Sequence, residues 1–93
     1  MIKSFKSKSL ESFYFEGIIK GSNVQHHTEK LTRILDRLRN ASDIKDMRYP
    51  GADLHKLEPR DEERWAVKVN KSRRITFIFK DGNAYEVDYI DYH

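Results

Sequence analysis

The sequence predicts an α+β fold in which two N-terminal helices pack on one face of a mainly antiparallel sheet. Apolar residues recur with helical spacing in the first forty positions and alternate with polar residues after Pro50. Turn pairs divide the alternating part into short consecutive strands. Because the helices precede the strands, we expect an antiparallel meander. A chain of 93 residues supports one hydrophobic core, so 1–93 is predicted to form a single domain.

The first elements are predicted to be a short strand and a helix. The strand comprises residues 1–5, which hold two large apolar side chains besides the initial Met. The helix is predicted to begin after a serine N-cap, at Ser7 or Ser9, and to end at a glycine, Gly17 or Gly21. Its apolar residues are Leu10, Phe13 and Tyr14.

The second helix has the clearest pattern in the chain. Four apolar residues at positions i, i+3, i+4 and i+7 form one stripe, and charged residues fill the other faces. A further helical turn is predicted from Ser42 to Met47, before the breaker pair Pro50-Gly51. The stripe consists of Leu31, Ile34, Leu35 and Leu38.

Three strands with a period of two follow a shorter strand around Leu54 to Leu57. Turns are predicted at residues 70–72 and at Asp81-Gly82, which is a good hairpin pair. One face of the sheet must cover the apolar stripes of the helices. It is predicted to carry Trp65, Val67, Val69, Ile75, Phe77, Phe79, Tyr85 and Val87. The other face, called the open face below, is predicted to carry Arg64, Lys68, Arg74, Thr76, Glu86, Asp88 and Tyr92.

The composition excludes several classes of site. The chain has no Cys, which excludes disulfides, thiolate metal sites and cysteine nucleophiles. The first residues lack the apolar region of a signal peptide, and no apolar stretch is long enough to cross a membrane. His26 and His27 would point about 100° apart on a helix, and no carboxylate lies at ligand spacing, so no metal site is predicted.

The charge pattern is more informative than the net charge of +3. In residues 64–93 all the basic residues precede Asp81, the first acidic residue of that segment. The open face is therefore predicted to be basic in two adjacent strands and acidic in the third. Such a face is either ordinary solvated surface or a surface that binds or cleaves RNA.

Several segments, from the first residue to the last, resemble a known family. They are Met1–Lys6, Trp65–Asn70, Arg73–Phe77, Asp81-Gly82 with Ala84-Tyr85, and Asp91–His93. With these segments the chain resembles the HigB toxins, also called plasmid maintenance system killer proteins, a branch of the RelE/ParE superfamily. The opening segment and the terminal Asp-Tyr-His are the most specific parts of the resemblance.

The resemblance implies a RelE-like fold and a cytoplasmic toxin of a type II toxin–antitoxin system. Such toxins are mRNA interferases that cut mRNA in the ribosomal A site and use no metal or other cofactor. A HigA-type antitoxin neutralises them, and operator DNA is contacted only through the toxin–antitoxin complex. No membrane partner is expected.

Arg74 is the candidate for binding the scissile phosphate. Metal-free RNA cleavage requires a base for the 2′-OH, an acid for the 5′-oxygen and cations near the phosphate. Arg74 resembles the family arginine before the Ile-Thr-Phe strand, and its guanidinium group suits phosphate oxygens. The alternative is a surface arginine paired with Glu86 or Asp88.

The resemblance also implies catalytic roles for the last three residues. His93 is similar to the family's catalytic terminal histidine, and Asp91 is expected either to orient it or to accept a proton. Tyr92 is expected to stack on a base or to donate its hydroxyl near the phosphate. Packing at the edge of the sheet is the alternative for Tyr92.

Glu58 occupies the position before Pro59 where some family members have a histidine implicated in catalysis. A carboxylate can serve as the base, and plain solvation of a strand end is the alternative. His55 lies three residues earlier, so its strand parity differs from that of Glu58 and we do not expect it to be a simple substitute. The acidic residues 61–63 place negative charge near the expected RNA path.

Further basic residues are expected to contact the backbone of mRNA or ribosomal RNA, without reading sequence. One of them, Arg73, has core-face parity, but its head group can still reach solvent from the start of a strand. These residues are Lys56, Lys68, Lys71 and Arg73.

Two other functions are compatible with the sequence. Glu58 and the acidic residues after it favour a toxin-fold protein with weak catalysis that acts mainly with its antitoxin in operon repression. A ParE-like gyrase inhibitor would share the fold, but the Asp-Tyr-His ending argues against it.

Overall fold

The computed structural model describes residues 1–19, 24, 26–57 and 64–91, and these have the predicted α+β architecture. Glu58, Tyr92, His93, Gly21 and the acidic residues 61–63 lie outside the described residues. The elements are α1 (Lys8–Glu16), α2 (Thr28–Asn40), a 3₁₀ turn (Ile44–Met47), β1 (His55–Lys56), β2 (Arg64–Lys68), β3 (Arg73–Lys80) and β4 (Asn83–Asp91).

The four strands form one sheet in the order β1-β2-β3-β4, and each pair of neighbours is antiparallel. The sheet is therefore the predicted meander. Within the described ranges, no helix is long and apolar enough to cross a membrane.

The helix boundaries confirm one of the two predicted options at each end of α1. The Ser7 hydroxyl accepts a hydrogen bond from the backbone N–H of Leu10 at 3.1 Å, so Ser7 is the N-cap. Gly17 ends the helix in the left-handed region at φ 70°, where glycine has no steric cost. The apolar stripe of α2 is buried, as its spacing predicts.

The N-terminal segment does not form the predicted regular strand. It makes two isolated parallel bridges to β4 instead, between Ile2 and Ala84 and between Phe5 and Val87. Between the two bridges, Ser4 accepts backbone N–H groups of β4: its hydroxyl from Glu86 at 2.9 Å and its carbonyl from Val87 at 3.1 Å. The segment thus covers part of the edge of β4.

The predicted core face is correct except at Tyr85. Thr76 pairs with Asp88 and Ile78 pairs with Tyr85, so two residues of β4 lie opposite the single residue Phe77. This is a β-bulge, and it reverses the alternation of side chains along β4. Tyr85 consequently shares the open face with Ile78.

The bulge also explains which residues of β4 enter the core. Ala84 and Val87, which an uninterrupted alternation would put on opposite faces, are both fully buried. Tyr89 joins them and is 5% exposed. The core otherwise has the expected members, since Val67, Val69, Ile75 and Phe77 pack with the α2 stripe.

The bulge has an unusual backbone, because Glu86 adopts φ 51°. The left-handed region costs a residue with a Cβ atom roughly 1–2 kcal/mol, and β-branched residues tolerate it worst. We therefore expect Glu86→Val to lower the free energy of unfolding by about 1–3 kcal/mol, and Glu86→Gly to leave it nearly unchanged or to raise it. Urea unfolding of both variants measures the difference. Equal stability of the two variants would contradict a strained bulge.

Candidate active site on the open face of the sheet

The register of the strands brings Arg74 and Lys68 together at one end of the open face. Lys68 pairs with Arg74, and Arg74 pairs with Ile90 on the other side. Residues that pair directly in antiparallel strands project from the same face, with Cβ atoms about 5 Å apart. Both side chains are half-buried. Two cations thus lie side by side where β2 ends and β3 begins.

The turn between β2 and β3 holds Arg74 in place through Asn70. The side-chain Oδ1 of Asn70 accepts the backbone N–H groups of Ser72 and Arg73, each at 2.9 Å. Its carbonyl oxygen accepts Nη1 of Arg74 at 2.8 Å, and the carbonyl of Arg73 accepts the same nitrogen at 3.0 Å. The guanidinium group is therefore fixed to the turn, which restricts its rotamers.

Asn70 also connects this turn to the helical layer. Its Nδ2 lies 3.2 Å from Nε2 of His27, the residue before α2. An amide nitrogen donates only, so Nε2 of His27 is the acceptor in this contact. His27 therefore has a structural contact at the turn that supports Arg74.

Arg64 engages the carboxylate that the sequence offered as an alternative partner of Arg74. Its Nη2 lies 3.0 Å from Oε1 of Glu86 and 3.2 Å from the Glu86 carbonyl oxygen, and its Nη1 donates to Thr76 Oγ1 at 2.9 Å. Arg64 thereby spans β3 and covers Thr76, which is only 2% exposed. Glu86 is thus engaged by Arg64, at the centre of the open face.

Asp91 and Arg73 lie at the same end of the sheet but belong to its other face. They pair in register, and Nη2 of Arg73 lies 3.8 Å from Oδ2 of Asp91. The Arg73 guanidinium carbon also lies 5.4 Å from the centre of the Tyr89 ring. Burial raises the pKa of the Tyr89 hydroxyl, although Arg73 acts in the opposite direction. Arg74 and Asp91 therefore project from opposite faces of neighbouring strands.

The predicted RNA-binding lysines and Arg73 are likewise distributed over both faces of the sheet. Lys71 is exposed in the turn beside Arg74. Lys56 pairs with Trp65 and its Nζ lies 5.8 Å from the centre of the Trp65 ring, on the helix-covered side. Of the four predicted RNA-binding residues, the structure brings Lys68 and Lys71 close to Arg74, and places Lys56 and Arg73 on the other face.

His55 lies on the open face, although its sequence position does not make it a simple substitute for Glu58. It pairs with Ala66, so it shares the open face with Lys68 and Arg74. Its Nδ1 lies 2.9 Å from the carbonyl oxygen of Asp53. Because a carbonyl only accepts, Nδ1 donates in this contact, and Nε2 is left for a different partner.

The ring of His55 leans toward the end of the sheet that carries Arg74. The backbone N–H of Lys68 donates to the Ala52 carbonyl at 2.7 Å, so the segment to which the ring is tied runs beside Lys68. Asp53 has φ 49°, which turns this segment sharply before β1. The sequence signal for the position of His55 is its parity in β1. That parity indicates a face only when the pairing register is known, and β1 has just two residues.

The described part of the chain contains no group of three or more His, Asp or Glu side chains that could hold a metal ion. Arg74 and Lys68 supply cations on the open face, and His55 adds an imidazole to the same face. Such a set can bind a phosphodiester and accept a proton from a neighbouring hydroxyl.

Over residues 3–93 the chain matches a family model described as the RelE-like toxin of the type II toxin-antitoxin system HigB. The chain belongs to this family. It is 38% identical to Endoribonuclease HigB of Proteus vulgaris over 96 aligned positions, which cover all of both chains. It is also 28% identical over 90 positions to an uncharacterized protein of Haemophilus influenzae, covering 96% of this chain and 88% of that protein.

Membership of the HigB toxins confirms the resemblance inferred from the sequence, and the helices on a four-stranded antiparallel sheet agree with a RelE-like fold. A HigB toxin acts with an antitoxin as its partner in a type II system.

The contacts of Asn70 predict that it positions Arg74. Asn70→Ala removes the acceptor for two backbone N–H groups, and a misplacement of about 1 Å at a reacting centre costs up to about 100-fold in rate. We expect Asn70→Ala to lower RNA cleavage about ten- to hundredfold. Asn70→Asp keeps the acceptor oxygens and should retain more of the activity.

The measurement is single-turnover cleavage of RNA, with circular dichroism to confirm that each variant is folded. Ser72→Ala is the matched control, since its backbone N–H, not its hydroxyl, contacts Asn70. A folded Asn70→Ala protein that cleaves at the wild-type rate would exclude this positioning role.

Proposed function

We propose that this protein is an endoribonuclease that cuts mRNA and that the Arg74 end of its open face is the active site. The observation that carries the proposal is the guanidinium of Arg74, fixed by Asn70 and Arg73 carbonyl oxygens beside Lys68. The full-length similarity to a protein named Endoribonuclease HigB supports the same reaction.

The proposed reaction is an internal transfer at the phosphate. A base takes the proton of the 2′-OH, the 2′-oxygen bonds to phosphorus, and the bond from phosphorus to the 5′-oxygen breaks. An acid gives the leaving 5′-oxygen a proton, so the products are a 2′,3′-cyclic phosphate and a 5′-OH. Arg74 binds the non-bridging oxygens, where negative charge grows in the transition state.

The acid and its neighbours are proposed from the family motif. His93 supplies the proton to the 5′-oxygen, Asp91 orients His93, and Tyr92 stacks on a base next to the cut. Asp91 itself projects from the face opposite to Arg74 and lies 3.8 Å from Arg73, so its proposed role rests on the family motif. Lys68 and Lys71 contact the RNA backbone.

The proposed setting is the cytoplasm, with cleavage of mRNA in the ribosomal A site and without a metal. A HigA-type antitoxin neutralises the toxin, and operator DNA is contacted through that complex. Lys56 and Arg73, which face away from Arg74, are proposed to contact ribosomal RNA rather than the cleaved strand.

Cleavage of a model mRNA, with and without programmed ribosomes and in the presence of a chelator, tests the proposal. Mapping 5′ ends should reveal cuts in the ribosome sample, and Arg74→Ala should slow them about 100- to 1,000-fold. Arg74→Lys keeps the charge but not the guanidinium geometry, so an intermediate rate is expected.

Arg39→Ala is the control for the loss of one arginine, because Arg39 is exposed on α2 and paired with Asp36. A wild-type rate in folded Arg74→Ala protein would remove the proposed site. No cuts by the wild-type protein in either sample would reject the endoribonuclease itself and favour a weak toxin or a gyrase inhibitor.

The base is proposed to be either Glu58 or His55, and the two make different predictions. His55 has an acceptor nitrogen and an open-face position, whereas Glu58 matches the family position. If His55 is the base, His55→Gln lowers the rate by about 100-fold or more and alters the low-pH limb of the rate profile. Glu58→Gln then changes the rate little.

The pH dependence of single-turnover cleavage decides between them. The reverse pattern, with the low-pH limb altered only in Glu58→Gln, would assign the base to Glu58. Both variants should keep the wild-type unfolding midpoint if the effect is chemical.

A further inference from the structure

The flank of α2 that faces away from α1 carries a row of cations. Lys30, Arg33 and Arg37 occupy positions i, i+3 and i+7, and all three are exposed. At 1.5 Å per residue they extend over about 10 Å of helix axis. They line a groove of about 280 Å³ together with Ile34, Tyr49 and Pro50. No described acidic residue lines this groove.

Arg37 is held in place at the C-terminal end of this row. Its guanidinium carbon lies 4.8 Å from the centre of the Tyr49 ring, and its Nε lies 3.4 Å from the Asp46 carbonyl oxygen. The Tyr49 hydroxyl is buried and makes no hydrogen bond among the described residues. The ring of Tyr49, rather than its hydroxyl, therefore supports the arginine.

Two acidic residues near the row are already engaged, whereas Glu29 is exposed and lines a neighbouring groove with Lys30 and Arg33. Asp36 lies beside Arg33 and Arg37 and pairs with Arg39 at 2.5 Å. Asp46 accepts the backbone N–H groups of Ser42 and Asp43 at 3.0 and 3.2 Å, and these bonds lower the pKa of its carboxyl group. Among the residues that the structure describes, no carboxylate forms an ion pair with Lys30, Arg33 or Arg37.

The cationic row continues past the end of α2. Arg33 and Arg37 also border a second, larger groove of about 650 Å³, which Lys45 and Arg48 line together with the engaged carboxylates Asp36 and Asp46. Five exposed cations thus follow one another around this part of the surface, called the α2 basic surface below: Lys30, Arg33, Arg37, Lys45 and Arg48.

We propose that the α2 basic surface binds the phosphate backbone of structured ribosomal RNA, apart from the strand that is cut. The proposal rests on the proposed function, because an enzyme that acts on the ribosome meets such RNA. A planar arginine stacked on an aromatic ring within a row of exposed cations suits a phosphate backbone.

The chemistry of the surface favours RNA over a protein partner. The centres of protein interfaces are apolar and depleted of charged residues. Exposed large apolar side chains lie elsewhere, at the end of α1 and just after it: Phe15, Ile18 and Ile19 are 65%, 49% and 39% exposed. The α2 basic surface offers little exposed apolar area, since Ile34 is 3% exposed.

Binding to 70S ribosomes that carry no mRNA tests the assignment without any cleavage step. Sedimentation from about 50 to 250 mM salt gives the slope of log K against log salt, which changes by roughly 0.7–0.9 for each phosphate contact. The double variant Arg33→Gln with Arg37→Gln should reduce the slope by about 1.4–1.8 and weaken binding at least tenfold at low salt.

Two controls separate this surface from general charge and from folding. Arg39→Gln removes one positive charge from the other flank of α2 and should change binding by less than about twofold, because Arg39 is paired. Tyr49→Phe keeps the ring beneath Arg37 and should bind like wild type.

An unchanged slope and affinity in the folded double variant overturn the proposal. If the double variant binds ribosomes like wild type but no longer binds the antitoxin, the surface is assigned to the antitoxin and the proposal is also overturned. Cleavage by the wild-type protein separates failure of this surface from failure of the proposed function. If the wild-type protein cleaves and the double variant has an unchanged slope, only the surface is rejected. If the wild-type protein does not cleave, the proposed function is rejected.

Discussion

The candidate site depends on one residue that bonds to its own turn in three ways. Asn70 accepts two backbone N–H groups with its side chain and one guanidinium nitrogen with its carbonyl. These contacts fix the conformation of the β2–β3 turn and the direction of Arg74 together. A cation that is oriented before substrate arrives loses little entropy on binding a phosphate, which is the requirement for electrostatic catalysis.

The bulge in β4 is the second constraint, and it distributes charge over the two faces. With the extra residue, Ala84 and Val87 both enter the core while Tyr85 and Asp88 both reach the open face. Glu86 is thereby directed to Arg64, at the centre of the face. Arg74 lies at the end of the face, where the main-chain oxygens of Asn70 and Arg73 accept its Nη1.

Most of the fold could be predicted from local sequence signals. The stripe of α2, the Ser7 cap and the Gly17 stop each follow from a few adjacent residues and from physics that acts within one helix. The alternation of apolar and polar residues in β2 and β3 is also a local signal, and it predicted their core residues correctly. The error at Tyr85 arose because the bulge has no local signature: Glu86 occupies a left-handed position where glycine is usual.

The candidate site was only partly predictable, because its contacts join distant segments. The family motif and strand parity identify Arg74, but the bond to the Asn70 carbonyl depends on the turn conformation. Parity counted from Glu58 does not show on which face of the sheet His55 lies, because that face is determined by the pairing of His55 with Ala66. The ring of Tyr49 beneath Arg37 likewise follows from tertiary packing and not from the sequence of α2.

Sulfur substitution at the scissile phosphate tests the central claim most directly, because it perturbs the atoms that Arg74 is proposed to bind. Replacing one non-bridging oxygen weakens a charge-assisted hydrogen bond to the guanidinium group. With Arg74 in place, single-turnover cleavage of one of the two phosphorothioate isomers should be about tenfold or more slower than cleavage of the normal phosphate. Arg74→Ala should lose most of that difference, whereas an equal sulfur effect in both proteins would contradict the account.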